Sequence, residues 1–251
     1  MLNVIIILLV KMLQIMNITK KFGGVTALED LTLSVNEGER LGLIGPNGSG
    51  KTTLLNVITG IYKPDNGEII FDKQVITGLP PYKISLMGIA RTFQVPRLFK
   101  NLTVYQNMLL PIIPRGNTHK KEASVYERAL EILELLKLKG LKDEPAGNLS
   151  GGQQKLLEFG RSLMSNAKLL LLDEPFAGVH PELVKVMINV IKKFNEELGV
   201  TFIIVTHELE FLEDVAKEVA VLNNGKLIAR GKLEEVAENI EVINAYMGGV
   251  G

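Results

Sequence analysis

Cysteine is missing from all 251 residues, which excludes disulfides and any cysteine-ligated metal. An excess charge of either sign is missing too. Lys+Arg and Asp+Glu both count 28, so no net field draws the chain to nucleic acid or to an anionic membrane. Long apolar runs are the third absence. The run Val4-Ile5-Ile6-Ile7-Leu8-Leu9-Val10 is far shorter than a bilayer span. It has no basic stretch before it and no small-residue cleavage site after it, so it does not read as a signal peptide. Residues 1–11 are therefore expected to be either a start placed upstream of Met12 or Met16, or an extra edge strand that something must cover. The sequence shows no internal repeat and no low-complexity tract.

What is present describes a full core. Apolar residues make up 46% and charged residues 22% of a chain long enough for one large α/β domain, or for a core with an inserted subdomain. The stretch Gly45-Pro46-Asn47-Gly48-Ser49-Gly50-Lys51-Thr52-Thr53 fits G-x-x-x-x-G-K-[ST] in the context that gives this pattern meaning. A short apolar strand pattern, Leu41 to Ile44, leads into it; a helical pattern, Leu54 to Ile58, follows and stops at Gly60. The glycines let the backbone curl so that N–H groups converge on phosphate oxygens at the positive end of a helix. Lys51 can bring an ammonium to the β- and γ-phosphates, and the Thr52 hydroxyl can ligate Mg²⁺.

The remaining pattern alternates. Residues 12–35 read as strands around Gly23-Gly24. Asp65-Asn66-Gly67 reads as a hairpin turn into Glu68–Phe71, Pro80-Pro81 opens a short helix, and Gly88–Phe93 reads as a strand. From Val95 to Met164 the pattern is almost wholly helical. Its clearest segment is Lys120–Leu138, where Tyr126, Ala129, Leu130, Leu133 and Leu136 share one face and Glu122, Arg128, Glu131 and Glu134 lie elsewhere. Leu169–Leu172, Val200–Val205 and Val219–Leu222 are solid apolar runs, as expected of parallel strands covered on both faces. Helices over Pro181–Leu198 and Glu208–Ala216 lie between them, Asn223-Asn224-Gly225 closes a hairpin, and Leu233–Met247 ends in one or two helices. Strand–helix alternation with this glycine loop predicts an α/β fold, a doubly wound parallel sheet with phosphate bound at its carboxyl edge.

Two further stretches carry chemistry. Leu169–Leu172 ends in Asp173-Glu174, where Asp173 can hold Mg²⁺ through water and Glu174 can polarise an attacking water. The bland alternative is an acidic turn after a core strand. Leu149-Ser150-Gly151-Gly152-Gln153 opens a helix, and a hydroxyl with two glycine amides at a helix N-terminus makes an anion site. A Ser N-cap accounts for Ser150 but not for the paired glycines. The chain thus carries two phosphate-binding devices about a hundred positions apart, one on the helical part.

Taken in order, Gly45–Thr52, Gln94 in Arg91-Thr92-Phe93-Gln94, Leu149–Gln153, Leu169–Glu174 and His207 in Val205-Thr206-His207-Glu208 resemble the Walker A, Q-loop, signature, Walker B and switch motifs of ABC-transporter ATPase subunits. The resemblance covers nearly all of the chain after residue 12. It implies a P-loop NTPase core of mostly parallel sheet with helices, plus an antiparallel β subdomain and an inserted helical subdomain. The expected division is an apolar extension over 1–11, the core with its antiparallel part over 12–94, the helical subdomain with the signature over 95–165, and the core continued with C-terminal helices over 166–251.

It further implies that Phe22 stacks on adenine, that Gln94 contacts Mg²⁺ or water and links the site to a membrane subunit, and that His207 meets the γ-phosphate. Ser150–Gln153 would face the ATP of a second ATPase subunit, identical or homologous. One departure is His180 in Phe176-Ala177-Gly178-Val179-His180-Pro181, where many members carry Asp in a loop that crosses the dimer interface; this histidine could make pH-sensitive contacts.

The segments Gly88–Gln94, Arg97-Leu98-Phe99, Leu102-Thr103-Val104, Phe176–Val179 and Val242–Gly248 look like importer subunits for branched-chain amino acids. Some of them also look like the ATPase of lipopolysaccharide exporters, and a soluble non-transport ABC ATPase is a further alternative. The implied partners are transmembrane permease subunits, docked on a groove at Leu98, Phe99 and Val104 or else with these three in the core, and indirectly a solute-binding protein. The implied location is cytoplasmic, on the inner face of the membrane through the permease.

Overall fold

The computed structural model describes residues 10–112 and 122–247. Residues 1–9, most of the expected N-terminal extension, lie outside that range, as do the Lys120 end of the expected long helix and Gly248.

The first sheet is antiparallel, in the order β2-β1-β4-β5. Strands β1 (Lys11–Phe22) and β2 (Val25–Asn36) form the hairpin expected around Gly23-Gly24. Strand β4 (Asn66–Phe71) lies on the other side of β1. Leu13 and Ile15 are fully buried and pair with Val35 and Leu33 on one side and with Phe71 and Ile69 on the other. Val10, which is exposed, accepts a backbone hydrogen bond from Glu37.

The expected turn at Asp65-Asn66-Gly67 is not where the hairpin forms. Asn66 and Gly67 already belong to β4, and the chain reverses at Asp72 and Lys73, both at positive φ, to enter β5 (Gln74–Val75). Gly67 serves a close approach instead, since a Cβ there would sit 2.4 Å from the Met16 carbonyl oxygen.

The second sheet has six strands in the order β10-β9-β3-β8-β7-β6: β3 (Arg40–Ile44), β6 (Ile89–Arg91), β7 (Leu169–Asp173), β8 (Thr201–Val205), β9 (Glu218–Asn223) and β10 (Lys226–Gly231). The first five run parallel, and β10 returns antiparallel through Asn224-Gly225. Both faces are covered, which is why these strands read as unbroken apolar runs. Leu170, Leu172, Phe202 and Ile204 point into one core with the helices, while Leu169, Leu171, Ile203 and Val205 point into a second core with the antiparallel sheet. Each such side chain contributes about 2 kcal/mol by leaving water.

Helix α1 (Lys51–Ile58) follows β3, and α2 (Pro81–Met87) starts at the second of the paired prolines. The helical stretch comprises α3 (Val104–Leu109), α4 (Glu122–Leu135) and α5 (Gly151–Met164), packed on one another. On α4 the expected face is met by Ala129 and Leu133, with Leu136 just beyond its end. Ile132 joins them, whereas Tyr126 is exposed and lies edge-on to Tyr105. Helix α6 (Pro181–Leu198) is capped by His180, whose Nδ1 accepts from the Glu182 N–H. The chain ends in α7 (Leu209–Val215), α8 (Leu233–Ala237) and α9 (Ile240–Met247). No described helix is long and apolar enough to cross a membrane.

Strand order places the chemistry. β3, β8, β7 and β6 are neighbours, and Leu43, Val205 and Asp173 fall on one row of the register. The loops leaving these four strands carry Gly45, His207, Glu174 and Gln94, so one sheet edge gathers stretches scattered over some 160 positions of sequence.

Candidate nucleotide site

The loop from β3 into α1 is held by its own backbone. Gly45 sits at φ 146°, and a Cβ there would meet the Leu222 carbonyl oxygen at 2.0 Å, so no side chain fits. Ser49 is buried; its N–H donates to the Pro46 carbonyl and its own carbonyl accepts from the Gly225 N–H. Lys51 curls over the loop, with Nζ donating to the carbonyls of Gly45 (2.7 Å) and Pro46 (2.9 Å) and to Ser49 Oγ (3.3 Å). Burial pushes its ammonium pKa below the usual lysine value, against the pull of Glu174 and Asp173. Asn47, Gly48 and Thr52 are exposed, and Pro46, Gly50 and Thr53 are half-buried. Loop amides, an ammonium and a hydroxyl form a donor set suited to a triphosphate.

Asp173 closes β7 with its carboxylate nearly sealed from solvent. Arg91 Nη2 lies 2.8 Å from its Oδ2, and both side chains are only 5% exposed. The same guanidinium donates through Nη1 to Asn56 Oδ1 on α1 (2.7 Å). Thr92 Oγ1 accepts the Asp173 N–H. Glu174 follows in the left-handed region at φ 49°, with its N–H bonded to the Val205 carbonyl. Its Oε2 lies 2.9 Å from His207 Nδ1, at ion-pair distance but without the alignment of a hydrogen bond. His207 is 68% exposed and Glu174 only 13%, so one member of the pair faces outward.

The other expected residues are placed less directly. Gln94 is exposed on the loop after β6. Phe22 ends β1 half-exposed, backed edge-on by Tyr62 at 5.0 Å and flanked by the Lys20 ammonium at 5.2 Å. Ser150 caps α5 in a box with Gln153: each backbone N–H is taken by the other's side chain. Gly151 is exposed, and Gly152 packs beside Leu183 and Val179. Among the described residues no hydrogen bond or ion pair joins Ser150–Gln153 to residues 45–53. No group of three or more His, Asp or Glu that could hold a metal ion occurs among the described residues. A cation here would rely on the Thr52 hydroxyl, the Gln94 amide oxygen, one carboxylate through water, and its phosphate ligands.

The family profile described as "ABC transporter" matches residues 28–177, across both glycine-rich stretches and the acid pair. The chain belongs to the ABC transporter family. Among curated relatives of this ABC protein, the "Probable branched-chain amino acid transport ATP-binding protein LivG" of Archaeoglobus fulgidus is 43% identical, with 95% of this chain and 96% of that protein covered. Among solved structures, an ATP-binding cassette of an ABC transporter in its ADP conformation superposes with a TM-score of 0.83 at 40% identity, covering 95% of this chain and 99% of that one. A dimeric cassette in a post-hydrolysis state, bound to ADP and Pi, gives 0.80 at 31% identity over 88% and 99%. The mixed α/β fold is that of the ABC ATPase cassettes, and the chain is an ABC-type ATPase that binds nucleotide.

Several residues of this ABC protein carry the site without having been assigned a role from sequence. Arg91 and Asn56 tie β6 and α1 to the acid at the end of β7. Tyr62 backs Phe22. The Tyr246 hydroxyl, on α9, meets the backbone of Gly45; burial raises its pKa and that contact opposes the rise. Glu158, on α5, is buried amid Leu156, Leu157 and Phe159. An acid in so apolar a run was the one signal available in advance. Of the two placements expected for Leu98, Phe99 and Val104, Val104 takes the core: it is fully buried under α3, Leu98 packs against that core, and Phe99 is exposed.

Proposed function

We propose that this chain is the ATP-hydrolysing subunit of an importer for branched-chain amino acids. The observation that carries the hydrolytic part is Glu174: a nearly buried carboxylate beside Asp173, 2.9 Å from His207, and close enough to Lys51 to oppose the fall that burial imposes on its ammonium pKa. The reaction is in-line attack of water on the γ-phosphate. Residues 45–53 hold the triphosphate and Phe22 stacks on adenine. Glu174 orients the water and takes its proton; Lys51, the loop amides and His207 offset charge developing on the phosphoryl oxygens. Thr52 and Gln94, with Asp173 through water, would hold Mg²⁺, which would supply further positive charge there. Ser150–Gln153 meet the nucleotide of a second ATPase subunit, identical or homologous; the solved dimeric cassette supports this pairing.

The solute class rests on the relatives' names, since this subunit does not touch the solute. Import requires permease subunits and, through them, a solute-binding protein. A shallow groove of about 280 Å³ lined by Ile61, Pro81, Ser85, Phe93 and Pro111 suits a permease helix, and Phe99 adds apolar surface on the loop beyond Phe93. Docking there sets the subunit on the cytoplasmic face of the membrane. The test is twofold. The purified chain should hydrolyse ATP, and Glu174→Gln should lower turnover at least 100-fold while Mg-ATP still binds. Membrane proteins co-purifying with it should form a complex that moves leucine into proteoliposomes. Full turnover in Glu174→Gln defeats the hydrolytic reading; solute moving only outward defeats the import reading.

A further inference from the structure

Helix α5 carries two charged side chains one turn apart that reach different loops of the sheet edge. Lys155 Nζ donates to the carbonyls of Glu174 (2.8 Å) and Ala177 (2.7 Å), pinning the loop after β7. Glu158, 3% exposed, accepts the Arg97 N–H on Oε1 (2.9 Å) and the Phe93 N–H on Oε2 (3.3 Å), clasping the loop that contains Gln94 at both ends. Arg161 stands 3.8 Å from the same carboxylate. Neither loop has a regular backbone ladder of its own at these positions, so these bonds are its tethers.

A third observation shows what one tether holds. Glu174 has a Cβ and yet sits at φ 49°, a conformation that persists only where the surroundings over-determine it. Its N–H is fixed by the Val205 carbonyl, and its own carbonyl is fixed by Lys155. Remove the ammonium, and one of the two backbone restraints on the carboxylate's direction is gone.

We infer that α5 is a rigid link between the Gln94 loop and the Glu174 loop, with Lys155 and Glu158 as positioning residues for hydrolysis. A displacement of either loop is passed along a 14-residue hydrogen-bonded helix to the other, and to Ser150–Gln153 at its N-terminus. The inference rests on the reading of Glu174 as the residue that orients water.

The experiment compares Lys155→Met, Lys155→Arg and Glu158→Gln in the purified chain, by Mg-ATP kinetics, thermal midpoint and amide hydrogen exchange. Lys155→Met should lower kcat about 100-fold, with KM within about twofold, an unchanged thermal midpoint, and recovery of most of the loss in Lys155→Arg. The decisive readout is remote: Phe93 and Arg97 amides should exchange faster in Lys155→Met, although nothing they bond to has changed. Faster exchange confined to residues 174–179, or an unchanged kcat in a folded Lys155→Met, overturns the inference. Should the methionine variant fail to fold, Lys155→Gln gives the same split. Wild-type turnover that Glu174→Gln does not affect sinks the underlying reading instead; turnover that depends on Glu174 but not on Lys155 sinks only the link.

Discussion

Arg91 Nη2 and Asp173 Oδ2 meet at 2.8 Å with both side chains almost wholly out of water. The pair joins adjacent parallel strands, and Asn56 extends it to α1, the helix that follows the glycine loop. Breaking a buried ion pair from one side leaves an uncompensated charge, which costs about 3–5 kcal/mol. Arg91→Met should therefore lower the unfolding free energy by that amount in a denaturant titration. The double variant Arg91→Met/Asp173→Leu should recover part of it, because no lone charge remains.

Gly45 admits no side chain. A Cβ would lie 2.0 Å from the Leu222 carbonyl oxygen, on a backbone at φ 146°. Gly45→Ala should cost more than about 1–3 kcal/mol, since steric collision adds to backbone strain. It should also weaken Mg-ATP binding by displacing the loop, as titration calorimetry would register. Binding equal to wild type would mean that Leu222 yields without moving the loop.

Asp65 supplies the pH dependence that is easiest to isolate. The Lys21 N–H foremost, and then Lys20, hold its carboxyl below the ordinary carboxylate range. A carboxylate whose pKa is depressed in the native state adds stability above its unfolded pKa and loses it as pH falls through the native one. Asp65→Asn should thus unfold at lower denaturant than wild type at pH 7, with the gap closing as both are taken toward pH 2. A gap independent of pH would assign the effect to geometry and not to charge.

Truncation separates the two starts expected from the sequence. Deleting residues 1–11 removes nothing fully buried among the described residues and should leave ATP turnover unchanged. Deleting residues 1–15 also removes Met12, Leu13 and Ile15 from the core between the two sheets. At about 2 kcal/mol for each side chain, that loss should unfold the chain, as circular dichroism would record.

The chemistry-bearing stretches were legible because their signals are local. Glycines before a lysine, an apolar run ending in two acids, and a serine before paired glycines each constrain a few neighbouring residues, and each lies where expected on a strand end or helix start. The misreadings arose where a local pattern admits two outcomes. Asp65-Asn66-Gly67 has turn chemistry, yet β1 holds Asn66 and Gly67 as strand, and the reversal falls to Asp72-Lys73, which carries no glycine. Leu98, Phe99 and Val104 fit groove or core equally from sequence, and Val104 is core, because which side of α3 meets its neighbours is set by α5. Tyr126 has helix-face spacing and still lies exposed beside Tyr105.

By itself the sequence determined the class of fold, the glycine loop before α1 and the acids at the end of β7, since backbone torsions and burial patterns are written within a few residues of each. Only the tertiary structure decided that Arg91 holds Asp173, that His207 faces Glu174, and that Lys155 and Glu158 tie two loops to one helix. Those contacts depend on which strands lie side by side and in what register. Strand order is settled by how whole sheets and helices bury their faces against one another, and no periodicity along the chain encodes it.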